Sequence, residues 1–169
     1  MLLDRVVATV DSLHIYRSDV LRRARSYLAQ MDPKARGDRQ VVARMQREVV
    51  AKLVDEALIV NECQRLHLTA DREEVDRALD VIAQGSHLDR AGLLAAAAKQ
   101  GLSEKEYREQ IRRQILEAKW VALRVRPTVV APTSGTEDEK KRATEALVVQ
   151  AREAELARLR RDTVVEVRW

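Results

Sequence analysis

The side chains best equipped for chemistry are few and scattered. His14, His67 and His87 stand far apart, and none has a cysteine or a second histidine at metal-ligand spacing, so each reads as a strand or surface residue rather than a ligand. Cys63 is the only cysteine, which excludes an intrachain disulfide and a cysteine-based metal cluster. It falls beside an apolar stripe, where a thiol is buried and inert. Carboxylates are plentiful, but they alternate with arginine at helical offsets, as in Glu104, Arg108 and Arg112. That spacing makes ion pairs along a solvated helix face and gives no sign of a general acid and base. No phosphate-binding glycine loop and no nucleophile elbow occurs. The inventory offers no catalytic residue, no metal ligand set and no cofactor site.

Composition limits what the surrounding elements can be. The 169 residues are 46% apolar and 34% charged, a globular balance long enough for one domain with a core of its own. Five glycines, three prolines and no phenylalanine are poor material for an all-β fold; the abundance of alanine, leucine, arginine and glutamate favours helices. No apolar run reaches membrane-spanning length. The net charge of +4 is unevenly placed: residues 17–47 hold nine Lys/Arg against three Asp/Glu, a local +6. This basic stretch is either a solvated face or an attractor for an anionic partner. Nucleic acid is the obvious candidate but is not the expected partner, since zinc-finger spacing is missing and two Trp and three Tyr are few for a stacking platform.

Val6-Val7-Ala8-Thr9-Val10, the polar pair Asp11-Ser12, and Leu13-His14-Ile15-Tyr16 read as a hairpin. Ser18 is the expected N-cap of a helix carrying Val20, Leu21, Ala24, Tyr27, Leu28 and Met31, broken by Asp32-Pro33 and Gly37. A long helix is expected from Asp38 to about Leu66, because Val42, Met45, Val49, Leu53, Ala57 and Val60 share one face. Asp71 with Glu74 and Asp89 open two further helices, closed by Gly85 and Gly101, and the alanines at 95–98 permit close packing. Ser103 with Glu106 is a capping box for a helix lasting to about Val125, and Thr136 with Glu139 starts the last helix, to about Arg161. Pro127 and Pro132 bracket an extended stretch, and 163–169 reads as a strand. A lone hairpin is marginal in water, so this strand is expected to pair with the N-terminal hairpin. The expected fold class is mainly α: a multi-helix bundle with a small antiparallel sheet joining both ends of the chain.

The order of these elements, and several stretches within them, resemble the chaperone core of SurA-type periplasmic chaperones, a family associated with parvulin-type prolyl isomerase modules. The opening from Val6 to Val20, the segment Leu53-Val54-Asp55-Glu56-Ala57-Leu58-Ile59, the run Leu68-Thr69-Ala70-Asp71-Arg72-Glu73-Glu74-Val75-Asp76 and the ending Leu159-Arg160-Arg161-Asp162-Thr163-Val164-Val165-Glu166-Val167 all carry the likeness. Gly101-Leu102-Ser103-Glu104-Lys105-Glu106-Tyr107-Arg108-Glu109-Gln110-Ile111-Arg112 is the most specific of them. In larger members, isomerase modules sit between the core helices and the C-terminal helix. Here only the ten residues 127–136 fill that gap, so the resemblance implies the chaperone role without the isomerase. The implied arrangement is a single domain over 1–169: hairpin and helices over 1–126, a linker over 127–136, and a C-terminal helix and strand over 137–169.

The resemblance further implies ATP-independent holding of unfolded outer-membrane or secreted proteins in the periplasm, with the secretory signal removed from the mature chain. Flexible apolar side chains suit such clients, because they repack around different sequences. Tyr27, Leu28, Met31, Met45 and Val49, around the break at 32–37, are the candidate client-binding residues; the competing reading is that they pack inward as ordinary core. The basic stretch coincides with them and would attract acidic chains. Expected partners are unfolded polypeptides and a possible second copy of the chain, with no nucleic acid and no integral membrane segment. Rival readings are a strand-exchanged dimer used for assembly or docking, hinged near 33–37 or 132–135, and an accessory subunit of a prolyl isomerase.

Overall fold

β1 (Val6–Val10) and β2 (Leu13–Tyr16) pair antiparallel as the alternation requires, with Val10 opposite Leu13 and Ala8 opposite Ile15. The computed structural model describes residues 4–168. Without a glycine in the turn, Asp11 itself takes the left-handed conformation, at φ 49°. The end of the chain compensates for that strain. The Asp11 amide donates to the Val164 carbonyl at 2.9 Å, and the Asp11 carboxylate accepts from the Val164 amide at 3.3 Å. β3 (Val165–Val167) then pairs antiparallel with β1, giving the order β2-β1-β3. The expected terminal strand is therefore real but shorter than 163–169. Central β1 buries Val7, Ala8 and Val10.

α1 (Arg17–Gln30) leaves β2 directly, and this corrects the expected cap. Ser18 lies in the first helical turn, where its hydroxyl donates to Asp4. Tyr16 holds the N-cap position instead, and its amide donates to Asp19 at 3.0 Å. The break at 32–37 is not bare coil: with Asp32 accepting from the Lys34 amide, it forms the single-turn helix α2 (Pro33–Gly37). The remaining helices begin at their expected caps: α3 (Arg39–Arg65) at Asp38, α4 (Arg72–Gly85) at Asp71, α5 (Arg90–Lys99) at Asp89, α6 (Glu104–Trp120) at Ser103 and α7 (Glu137–Asp162) at Thr136. Beyond Trp120 the helix loosens into a π-helical turn (Val121–Val125) and then a 3-10 turn (Arg126–Thr128). Helical conformation thus reaches the expected end near Val125, but not as α-helix.

The fold is mainly α with a small three-stranded sheet. Its main core joins β1, α1 and α3 to Trp120, Val125 and the Val148, Leu156 and Leu159 side chains of α7. A second cluster, around Val75, Leu79, Leu93 and Ile111, holds α4, α5 and α6 together. Among the described residues no helix is long and apolar enough to cross a membrane.

Candidate functional site

The five side chains singled out from the sequence differ in exposure. Tyr27 is 36% exposed, and the Lys52 ammonium lies 5.1 Å from its ring centre. Leu28 and Met45 are half-buried against the main core, and Met31 is half-buried. Val49 is a correction: at 2% exposure it is core, since its position on α3 faces β1 and α1 rather than solvent.

A cleft opens instead on the neighbouring side, where β2 and α1 lie across α3 and face α6. Its volume is about 320 Å³. Leu13 and Ile15 of β2 and Leu53, Ala57 and Val60 of α3 give it an apolar floor. The α3 residues recur every three or four positions, so one helix face supplies them. Asp19, Arg22 and Arg23 from α1, Glu56 from α3 and Arg113 from α6 form its charged rim. Two recesses continue along α6: one of about 470 Å³ past Leu102, Lys105 and Glu106, and one of about 140 Å³ past Gln110, Gln114 and Glu117. Arg113 lines all three spaces.

Two arginines share one carboxylate there. Arg23 Nη2 donates to both Glu56 oxygens, at 2.9 and 2.8 Å. Arg113 approaches the same group less closely, with Nε 3.4 Å from Oε2. Burial lowers the pKa of Arg113 from its usual value, while Glu56, Glu109 and Asp19 oppose the shift and Arg23 adds to it; a guanidinium remains charged in any protein setting. Arg22 spans from Asp19 to Glu106, 3.2 Å from each, and so ties α1 to α6 across the opening. A separate apolar groove of about 400 Å³ lies between the 128–130 segment and α7, lined by Val129, Val130, Leu147 and Ala151.

Sequence reading missed this cleft. Glu56 and Arg113 are far apart in the chain, and nothing local announces that α3 and α6 face each other there. Arg22 and Arg23 entered only as members of a basic stretch. The pairing of Glu104, Arg108 and Arg112 also differs from a simple solvated stripe. Arg108 bonds Glu104 at 2.8 Å but also crosses to Asp76 of α4 at 2.6 Å, and Arg112 reaches the Ala70 carbonyl. Among the described residues no group of three His, Cys, Asp or Glu side chains is placed to hold a metal ion.

The family model described as the SurA-like N-terminal domain matches residues 3–121. The chain belongs to the SurA-like N-terminal domain family. Curated relatives named Chaperone SurA include that of Pseudomonas syringae pv. syringae, 32% identical over 114 residues, covering 68% of this chain and 26% of the relative. That of Legionella pneumophila (strain Lens) is 30% identical over 124 residues, covering 68% of this chain and 27% of the relative. That of Vibrio cholerae is 28% identical over 116 residues, covering 67% and 26%. This SurA-like chain thus spans about a quarter of the length of the curated relatives it matches. The matched region runs from the hairpin through α6 and contains every cleft residue named above. α7 and β3 lie beyond it, yet they complete the sheet and core on which the matched part rests.

Proposed function

We propose that this chain is an ATP-independent holding chaperone of the periplasm, which binds unfolded outer-membrane or secreted polypeptides and has no isomerase activity of its own. The observation that carries this reading is the open cleft between β2, α1, α3 and α6 in a chain of the SurA-like family. An apolar floor inside a charged rim takes apolar side chains while leaving the polypeptide backbone hydrated. No fixed donor pattern demands one sequence, which suits a binder of many clients. In this reading Tyr27, Leu28, Met31 and Met45, around the break at 32–37, supply further adaptable apolar area. The basic stretch through α1, α2 and the start of α3 speeds the approach of acidic chains, an effect that salt weakens. The connection at 127–136 is too short for an isomerase module, which supports a holding role without catalysis.

The test is aggregation of an unfolded β-barrel protein diluted from denaturant, followed by light scattering without ATP. A several-fold excess of this chain is expected to suppress scattering, and Leu53→Ser with Val60→Ser is expected to weaken the suppression while the fold persists by circular dichroism. Equal scattering with and without the chain overturns the reading. Proline-limited refolding of a model substrate is expected to proceed at its uncatalysed rate.

A further inference from the structure

We propose that Arg113 anchors a carboxylate of the bound polypeptide, with the apolar side chain beside that carboxylate seated among Leu13, Leu53 and Val60. The proposal rests on the holding function and names the chemistry its cleft prefers.

The argument starts from an incomplete pairing. Glu56 is one carboxylate serving two guanidiniums, and Arg23 takes both of its oxygens. Arg113 is left with a 3.4 Å contact through Nε. Among the described residues its terminal nitrogens make no hydrogen bond, although its side chain is only 37% exposed. A planar guanidinium presents parallel N–H donors that match the two oxygens of a carboxylate. It cannot shed its charge, and beyond Glu56 the carboxylates of Glu109 and Asp19 act on it without a direct ion pair, so its terminal nitrogens remain open to a further anion.

The position of Arg113 gives the ligand its second property. It lines the space floored by Leu13, Leu53, Ala57 and Val60, as well as the recess along α6. A bare inorganic anion would leave that floor uncovered. A polypeptide presenting a carboxylate next to an apolar side chain fills both halves. Two parts of a chain have this chemistry: a C-terminal residue, through its α-carboxylate, and an Asp or Glu side chain flanked by an apolar residue.

Fluorescence anisotropy of a short labelled peptide separates the cases. One form ends in leucine with a free carboxylate, a second is the same peptide amidated, and a third is amidated but carries Asp before the leucine. The free acid is expected to bind the unaltered chain about tenfold more tightly than the amide. Arg113→Gln is expected to abolish that ratio, and Arg112→Gln, on the same helix outside the cleft, to preserve it. An Asp peptide equal to the free acid assigns the side-chain carboxylate as a second source and supports the proposal. If all three peptides bind the unaltered chain equally while aggregation is still suppressed, the carboxylate anchor is overturned and the holding function survives. An acid-to-amide preference that persists in Arg113→Gln, with the fold intact by circular dichroism, also overturns it. Absence of both peptide binding and suppression rejects the two together.

Discussion

Cys63 is 1% exposed, and its thiol donates to the Leu116 carbonyl at 3.5 Å. Burial, helped by the neighbouring Glu62 carboxylate, pushes its pKa from 9.0 up to about 11. The protonated thiol is therefore favoured by the folded state. Its contribution is complete below pH 9 and is lost as pH rises towards 11, because there only the unfolded chain ionises. A shift of this size corresponds to about 3 kcal/mol at its limit. The measurement is the urea midpoint at about pH 8 and about pH 10.5, for this chain and for Cys63→Ala. The unaltered chain is expected to lose the more stability between the two, and the difference isolates the thiol from other titrating groups. At neutral pH the folded chain is expected to resist thiol reagents, with labelling appearing only as it unfolds. The burial was legible from the apolar stripe around Cys63. The cleft at Arg113 was not, because its properties arise from a neighbour on another helix.

Helix ends show what local sequence specifies. Asp71, Ser103 and Thr136 cap their helices as read, since a capping side chain needs only its own amide three residues ahead. Ser18 misled because the hairpin turns straight into helix, and Tyr16 and Asp19 close the end sooner. The C-terminal ends of α3, α4 and α5 share one device. Leu68 bonds back to Cys63, Leu88 to Ala83 and Leu102 to Ala97, through a residue in the left-handed conformation at each end. That residue is Gly101 after α5, but His67 and His87 after α3 and α4, at φ 54° and 55°. The histidines thus have a structural position that composition and metal-ligand spacing never suggested. A β-carbon in that conformation is strained, whereas glycine is not. His67→Gly and His87→Gly are each expected to raise stability by about 0.5–1 kcal/mol, read as a higher urea midpoint with an unchanged slope. Valine at either position is expected to lower it by more.

At the scale of the molecule, the two ends of the chain make one unit. β3 contributes the third strand beside β1, and Val148, Leu156 and Leu159 of α7 enter the same core as Val7, Val49 and Trp120. Polar contacts repeat the connection: Arg160 reaches Asp55 of α3 at 2.6 Å, Arg152 reaches Glu117 of α6 at 2.6 Å, and Arg124 lies between Glu62 and Glu155. The terminal strand was legible because a valine-rich segment at each end, with no other partner in sequence, leaves one economical pairing. The polar contacts were not, since each joins residues that only the packed helices bring together. This geometry predicts that the covalent link at 127–136 is dispensable once the chain has folded. A protease site placed at exposed Ser134 tests it. After cleavage the 137–169 piece is expected to co-elute with the remainder in native buffer and to separate in denaturant. Unfolding before cleavage is expected to be one cooperative transition for sheet and helices alike. Independent elution in native buffer, or a separate early transition for α7, would show instead that the C-terminal helix is an appendage and that the single domain ends near residue 126. The expected result makes this surface link a place where the fold tolerates insertion, because both halves of the core are held by contacts that do not pass through it.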